Sequence, residues 1–552
     1  MSCRRASRDT YDASLRVAEY PFSHLLHSDS DKLPSLQEKK VIQELLAQQK
    51  AHLSQLNSKV PRRRTGKKIP RQLRADLDRT RRFIRVHQVL IAPWRWLPVE
   101  IMSEIFLFTL SPRESEDTDS WNDDRRGTLL LCKICRTWRN ITISTPALWN
   151  VLSLNLHAVE HRVIDLVSTW LDRSRSFPVY LQVFWDHTAF SAVVNSVIST
   201  FALHLHHTAG LWIDGLDMDD PEFALLSPKP TFPPVESPRA PFLATLSVDL
   251  PPGSNWDWIH SICRAAPYLA HLTTPQFSAA DWFPLTNLIS VHFILPITIF
   301  DVLQLLEHAP GLKDVSVDVT GPAVASPTRP PLVLHALSQL EVTSHQHFGQ
   351  FLDQITVPHL EKLWVHQIVD WPAPEFQAFL SRSSCVLRAL DFADVEISED
   401  NIIACLKHKA CSRLEALAVT DCDPPASALL QYLTYRAPAA PGVGADHCSD
   451  PNPNPHLEEI ELGNILAVDG FLSSLVRSRL TPSAPVAVGP ESHPLSPAPE
   501  PAPAPARLGS LRFSFVEGTA SSQVTHARDW ADLRELEWCF PEFKLIWPQQ
   551  DE

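Results

Sequence analysis

Glycine is scarce in this chain, at 15 in 552 residues against 48 prolines. A loop that cradles phosphate needs glycine so that backbone N–H groups can close on the anion, so phosphate-binding chemistry is disfavoured. No Gly-rich phosphate loop with Lys-Ser/Thr, no G-x-S-x-G and no H-E-x-x-H occurs. That removes the motifs by which nucleotide hydrolases, serine hydrolases and zinc peptidases announce themselves. No segment approaches the ~20 apolar residues of a membrane span, and residues 1–30 lack a signal-peptide core. The ten cysteines (Cys3, Cys132, Cys135, Cys263, Cys385, Cys405, Cys411, Cys422, Cys448 and Cys539) are too dispersed for a small disulfide framework. Reduced thiols in the cytoplasm or nucleus are therefore expected. Together the absences point away from an enzyme, a cofactor, a metal and a membrane.

Apolar residues make up 44% and charged residues 20%, enough to bury a core, and the length implies two or more units. The net charge of −14 repels nucleic acid on average, yet eleven Lys or Arg and only two Asp lie between Pro61 and Arg85. That run reads as the solvated face of a helix; import or nucleic-acid binding through 61–85 is the disfavoured alternative, whose signature would be a steep salt dependence.

Residues 1–33 are polar and aperiodic, which implies disorder. Ser35 and Glu38 stand in capping-box spacing, and Ile42, Leu46, Leu53, Leu56 and Val60 then form one seam, so a helix is expected to about residue 59. A second helix over 71–90 carries Leu73, Leu77, Ile84 and Leu90. The arm at 34–91 folds either as a hairpin or as a dimer element.

From "WRWLPVEIMSEIFLFTL", Pro98 suits the first position of a helix, and Ile101, Met102, Ile105, Phe106 and Thr109 make an apolar stripe. An acidic insert at 111–127, expected to be unstructured, precedes a second stripe of Leu130, Leu131, Ile134, Trp138 and Ile141. So small a helical unit is marginal alone, and a partner covering its apolar face is physically attractive. Leu97-Pro98-Val99-Glu100-Ile101, Cys132-Lys-Ile-Cys135-Arg-Thr-Trp138-Arg139 and Pro146-Ala-Leu148-Trp149 together resemble an F-box, over residues 92–150. The arrangement is similar to the F-box-like proteins that basidiomycete fungi carry in large families, apart from the lengthened acidic loop. The resemblance implies docking on the Skp-type adaptor of a cullin-based ubiquitin ligase, through Leu97, Pro98, Ile101, Ile105, Leu131, Trp138 and Trp149, some as interface and some as the packing behind it.

Past residue 240 one pattern returns: Leu, two residues, an aliphatic, one residue, another apolar. It starts at Leu243, Leu288, Leu312, Leu337, Leu360, Leu387, Leu414, Leu457, Leu508 and Leu533, and from Leu288 to Leu414 the steps are 24, 25, 23, 27 and 27. A period in the twenties with this spacing is the mark of leucine-rich repeats, strand then helix, which stack into a parallel sheet with a concave face. The expected fold is α/β: N-terminal helices, a small helical F-box, then an irregular leucine-rich-repeat solenoid over 241–545, with 151–240 holding a degenerate start ("FPVYLQVFW", "AGLWIDGL") and a Pro-rich linker. Two long steps, 43 and 51, hold Pro-rich tracts at 437–456 and 481–507, read as loops extruded from the array.

Cys132-x-x-Cys135 lacks a second metal-ligating pair, and both cysteines are assigned to the Trp138 helix. His204-x-His206-His207 and His345-x-His347 would be split to opposite faces in strand geometry. Trp364 and Arg512 occupy the intervening strand slot, so they point out of the sheet and are the candidates for gripping a target protein. Phe392, Phe513 and Trp538, in the third slot, are assigned to the core. The expected function is a substrate-recognition adaptor of an SCF-type ubiquitin ligase; a structural scaffold on the same fold is the alternative.

Overall fold

Ser35 opens the first helix as its spacing demands: its Oγ accepts the Glu38 N–H at 3.2 Å, and its own N–H donates to Glu38 Oε2 at 2.7 Å. The computed structural model describes residues 22, 25, 33–60, 70–110, 121–156, 162–215, 227–230, 239–250, 254–255, 257–275, 286–321, 330–425, 427–435, 454–480, 507–516, 522 and 524–547, with backbone alone for 121–126 and 257. Most of the 1–33 segment, the basic stretch 61–69, residues 111–120 and the bulk of both Pro-rich tracts lie outside the described residues. The chain divides into two units: Met1–Asn155 with Glu160–Gln182, and Leu156–Val159 with Val183–Glu552.

In the first unit, α1 (Leu36–Ser58) and α2 (Arg71–Leu90) pack together. Ile42 and Leu46 from α1 share one cluster with Ile84 and Leu90 from α2. Of the two open arrangements for the arm, the hairpin is the one seen. His87, among the buried positions of α2, stacks on Phe83 at 3.9 Å, and burial pushes its pKa down.

Three short helices follow: α3 (Val99–Leu110), α4 (Trp121–Ile134) and α5 (Arg136–Ser144). Pro98 sits one residue before α3, its carbonyl accepting the Met102 N–H at 3.0 Å. Two expectations are corrected here. The acidic insert is not wholly irregular, because α4 starts at Trp121. Cys132 and Cys135 are not on one helix, since the chain breaks at Cys135, whose Sγ accepts the Trp138 N–H at 3.4 Å as the cap of α5. The turn Pro146–Trp149 then buries its tryptophan, and β1 (Val151–Asn155), α6 (Arg162–Ser174) and the start of β2 (Val179–Trp185) complete the unit.

In the second unit the strands β3 (Thr208–Gly215), β4 (Thr245–Asp249), β5 (His271–Thr274), β6 (Ser290–Phe293), β7 (Asp314–Thr320), β8 (Gln339–Thr343), β9 (Lys362–His366), β10 (Ala389–Ala393), β11 (Ala416–Thr420), β12 (Glu459–Ile465), β13 (Ser510–Phe515) and β14 (Lys544–Ile546) pair in chain order, each parallel to the next. The fold class is thus mixed α/β, with fifteen helices among the described residues and an open parallel sheet of fourteen strands. Adjacent parallel strands need a crossover, and among the described residues a helix supplies it in every step of the second unit except those after β3, β5 and β7. The second and fourth slots of the strands from β4 to β13 are buried; Leu340, Leu363, Leu390 and Leu417 stand side by side in register, as do Val342, Val365, Phe392 and Val419. Helical residues such as Phe376, Phe379 and Leu380 of α11 (Ala373–Ser383; here α7 is Ser191–Leu203, α8 Asp257–Ala265, α9 Ile299–His308 and α10 Phe348–Asp353) supply further core. Three more helices follow in the same alternation, α12 (Glu399–Lys407), α13 (Ser427–Leu433) and α14 (Phe471–Leu480).

The repeat reading is corrected at its end. Leu533, Leu536 and Trp538 belong to α15 (Ala527–Cys539), not to a strand, and the last strand is β14. In a helix, residues three apart share a face whereas the residue two further on leaves it. Leu533 and Leu536 are accordingly buried while Trp538 is 88% exposed. Three strands of the sheet went unforeseen, β1, β5 and β14; of these, β5 fits the spacing Leu269-x-x-Leu272-x-Thr274 but fills its third slot with a buried threonine.

Candidate docking surfaces

α3 is apolar on nearly every side. Met102 and Phe106, four residues apart, face the unit's own core, whereas Ile101, Ile105 and Phe108 follow at helical spacing on another side and are 48%, 41% and 86% exposed. Leu97, Pro98 and Val99 lead into this side exposed, and Leu130 and Ile134 of α4 are exposed as well. So many large apolar side chains exposed on so small a unit make this a candidate docking surface.

The seven residues singled out in the sequence therefore separate into two groups. Leu97, Pro98, Ile101 and Ile105 lie on the surface. Leu131 and Trp149 are core, and Trp138 is half-buried, 4.8 Å from the Phe106 ring and edge-on to Trp94 at 5.7 Å. Val99, Phe108, Leu130 and Ile134 were missed; the apolar periodicity of α3 contained the signal, but periodicity cannot say which of two apolar sides turns inward.

On the sheet of the second unit, odd-numbered slots alternate with the buried ones and face out. The central outward row, read across paired strands from β8 to β13, is Glu341, Trp364, Asp391, Ala418, Glu461 and Arg512. Trp364 and Arg512 border one open depression of about 250 Å³ together with Asp391, Glu459, Glu461 and Ile546. Arg512 is engaged with Glu461 at 3.2 Å, and Lys362 lies 5.9 Å from the Trp364 ring. Other outward slots add Asp214, Asp249, Asp314 and Asp318. The face is acidic, and its field acts back on its own carboxyls. Burial lifts the pKa of Asp214 to about 6. Asp314 is raised first by burial and then by Glu341, and Asp391 by burial and then, against His366, by Glu461 and Glu341.

The histidine expectation is corrected too. His204, His206 and His207 are not in a strand; they close α7 and form a short turn, so their rings meet, with His206 and His207 centroids 4.5 Å apart. His207 is buried, and burial first, then its two neighbours, push its pKa down to about 4. The buried thiols of Cys263 and Cys405 are both pushed up to about 12 by burial, and no described cysteine is in a disulfide. No described helix is long and apolar enough to cross a membrane. Neither a protein-family model nor a curated protein matches this chain.

Proposed function

We propose that this protein is a substrate-recognition adaptor of a cullin-based, SCF-type ubiquitin ligase, working in the cytoplasm or nucleus, with an F-box-like unit at 92–150 and irregular leucine-rich repeats from 241 onward. The observation that carries the reading is the second apolar side of α3. Leu97, Pro98, Ile101 and Ile105 seat on a Skp-type adaptor, while Leu131, Trp138 and Trp149 hold the shape of that surface. The chain itself performs no chemistry. It supplies proximity between a bound target and the conjugating enzyme that the cullin recruits.

Full-length protein co-expressed with a Skp-type adaptor is expected to elute with it at one-to-one stoichiometry. The double variant Leu97→Ala, Pro98→Ala should elute alone, with unchanged circular dichroism because neither side chain is core. An intact chain that captures no adaptor would remove this reading in favour of a scaffold.

The target end of the adaptor follows from charge. Carboxylates outnumber Lys362, Arg512 and Lys544 on the outward slots, so the bound target segment carries Lys or Arg, with Trp364 as an aromatic anchor. The raised carboxyls set a pH dependence. An Asp whose pKa is lifted loses its charge earlier as pH falls, so attraction for a cationic peptide is complete well above pH 6 and wanes through the Asp214 value of about 6. Fluorescence anisotropy with a Lys/Arg-rich peptide should show affinity falling about two- to tenfold from about pH 7 to pH 5, the loss of one or two exposed pairs. Binding that ignores both pH and salt would contradict the assignment of this face.

A further inference from the structure

The helices α14 and α15 exchange carboxylates. At the start of α14, the Gly470 and Ser473 N–H groups donate to the two oxygens of Asp529, at 2.9 and 2.8 Å. At the start of α15, the Arg528 and Asp529 N–H groups donate to Asp469, at 3.1 and 2.9 Å. Each carboxylate thus sits at the positive end of a helix, which accounts for an aspartate as deeply buried as Asp529, at 1% exposure.

That exchange leaves His526 unexplained. The residue is 8% exposed and stacks on Phe515 at 4.0 Å, and its Nδ1 is buried without a hydrogen-bond partner. A buried, unsatisfied ring nitrogen is unfavourable unless something binds it. Nδ1 lies 3.8 Å from Asp529 Oδ2, too far for a hydrogen bond. One donor atom from each of Asp469, His526 and Asp529 lies within 4.8 Å of the other two. Donors around a tetrahedral ion at bond lengths of about 2.0–2.2 Å stand roughly 3.3–3.6 Å apart, so a small turn of the Asp469 side chain closes the set.

We propose that Asp469, His526 and Asp529 bind one divalent transition-metal ion, Zn2+, through Nδ1 of the imidazole and one oxygen of each carboxylate, with water in the fourth position. The lone-pair count allows it: a carboxylate has about four acceptor sites, and each aspartate gives two to backbone N–H groups. Those N–H groups hold the ligands in orientation, as supporting hydrogen bonds do in built metal sites. One nitrogen and two oxygens suit Zn2+ better than Ca2+, which takes six to eight oxygens. The ion clamps the start of α14 to the start of α15, so it stabilises the C-terminal end of the array, where a repeat has a neighbour on one side only.

The test uses the full chain, stripped with a chelator, desalted and titrated with Co2+. One equivalent should produce visible d–d absorption that Zn2+ displaces. His526→Ala should weaken Co2+ binding by at least about 100-fold, the upper end of what losing a mere supporting group does, while exposed His345→Ala leaves it unchanged. Co2+ uptake that is absent, or the same in His526→Ala, overturns the site. Should His526→Ala fail to fold, X-ray absorption on the Zn2+-loaded wild type decides: one nitrogen of an imidazole with oxygens near 2.0 Å supports the proposal, and sulfur or water ligation alone refutes it.

Discussion

Arg479→Ala is expected to open the second unit locally, at a loss of at least about 1–3 kcal/mol. Arg479, in α14, has no exposure to solvent, and burial lowers its pKa to about 10. Its Nε and Nη2 donate to the Leu433 carbonyl at 2.9 and 2.8 Å, and its Nη1 to the Asn454 carbonyl at 3.2 Å. Leu433 is the last residue of α13, so the guanidinium satisfies a carbonyl that the helix cannot. Asn454 is where the described chain resumes after one Pro-rich tract, and its Nδ2 ties back to Leu406 and Cys411. Alanine would orphan the buried Leu433 carbonyl at about 1–3 kcal/mol and leave the Asn454 carbonyl with the Leu457 N–H alone, at 3.3 Å, before any term for the empty volume. Hydrogen exchange should show protection lost first in 427–433 and 454–480, since neighbouring repeats stabilise one another pairwise. Arg479→Lys should recover little, because an ammonium cannot reproduce the fork. Uniform protection across the unit in Arg479→Ala would contradict the account.

Arg479 also shows where reading the sequence stops. The apolar slots of the repeat were legible because their chemistry is constant: Leu363 and Val365, or Leu390 and Phe392, fall two apart with the same spacing in each repeat. Devices that seal the repeats are not constant. An arginine in "SLVRSRL" reads as surface until a broken helix end is known to lie beside it. Another device is a left-handed residue just past the strand, Gln367, Asp394 and Asp421 at φ 55°, 55° and 51°, with Asn464 in the matching place at 53°. Asp and Asn tolerate that region, and such residues are common elsewhere, so the column emerges only once register aligns it. Thr274 and Leu533 failed for opposite reasons: the first put a polar residue in an apolar slot, and the second fits a helix face as well as a strand.

For the candidate surfaces, the motif residues were found but not their orientation. Alternation in a strand is rigid, so Trp364 and Arg512 could be placed on the outward side from sequence alone. That Arg512 is held by Glu461, and that the whole face is acidic, needed the pairing of strands 51 residues apart in the chain (461 to 512). On α3, period alone gave an apolar helix with two candidate inner sides.

The sharpest separation of shape from contact is therefore Trp149→Ala, which should lose about 3–5 kcal/mol of stability in the first unit. Trp149 is 1% exposed, its ring meets Trp170 edge-on at 4.7 Å and lies under Arg173 at 4.5 Å, and its Nε1–H donates to the Thr142 carbonyl at 2.8 Å. Truncation leaves a cavity of indole size and takes from the Thr142 carbonyl the shorter of its two hydrogen bonds, leaving the Thr145 N–H at 3.4 Å, in a helical minidomain with little core to spare, and the loss approaches the whole stability of a small domain. Ile101→Ala and Ile105→Ala remove exposed carbon and should change stability by no more than about 0.5 kcal/mol. Thermal unfolding beside adaptor binding then gives two patterns. Trp149→Ala should lose both the folding transition and the adaptor, whereas the double change at Ile101 and Ile105 should keep the transition and lose only the adaptor. If Trp149→Ala stayed folded while binding failed, the tryptophan would be a contact and the division of the surface drawn from its burial would be wrong.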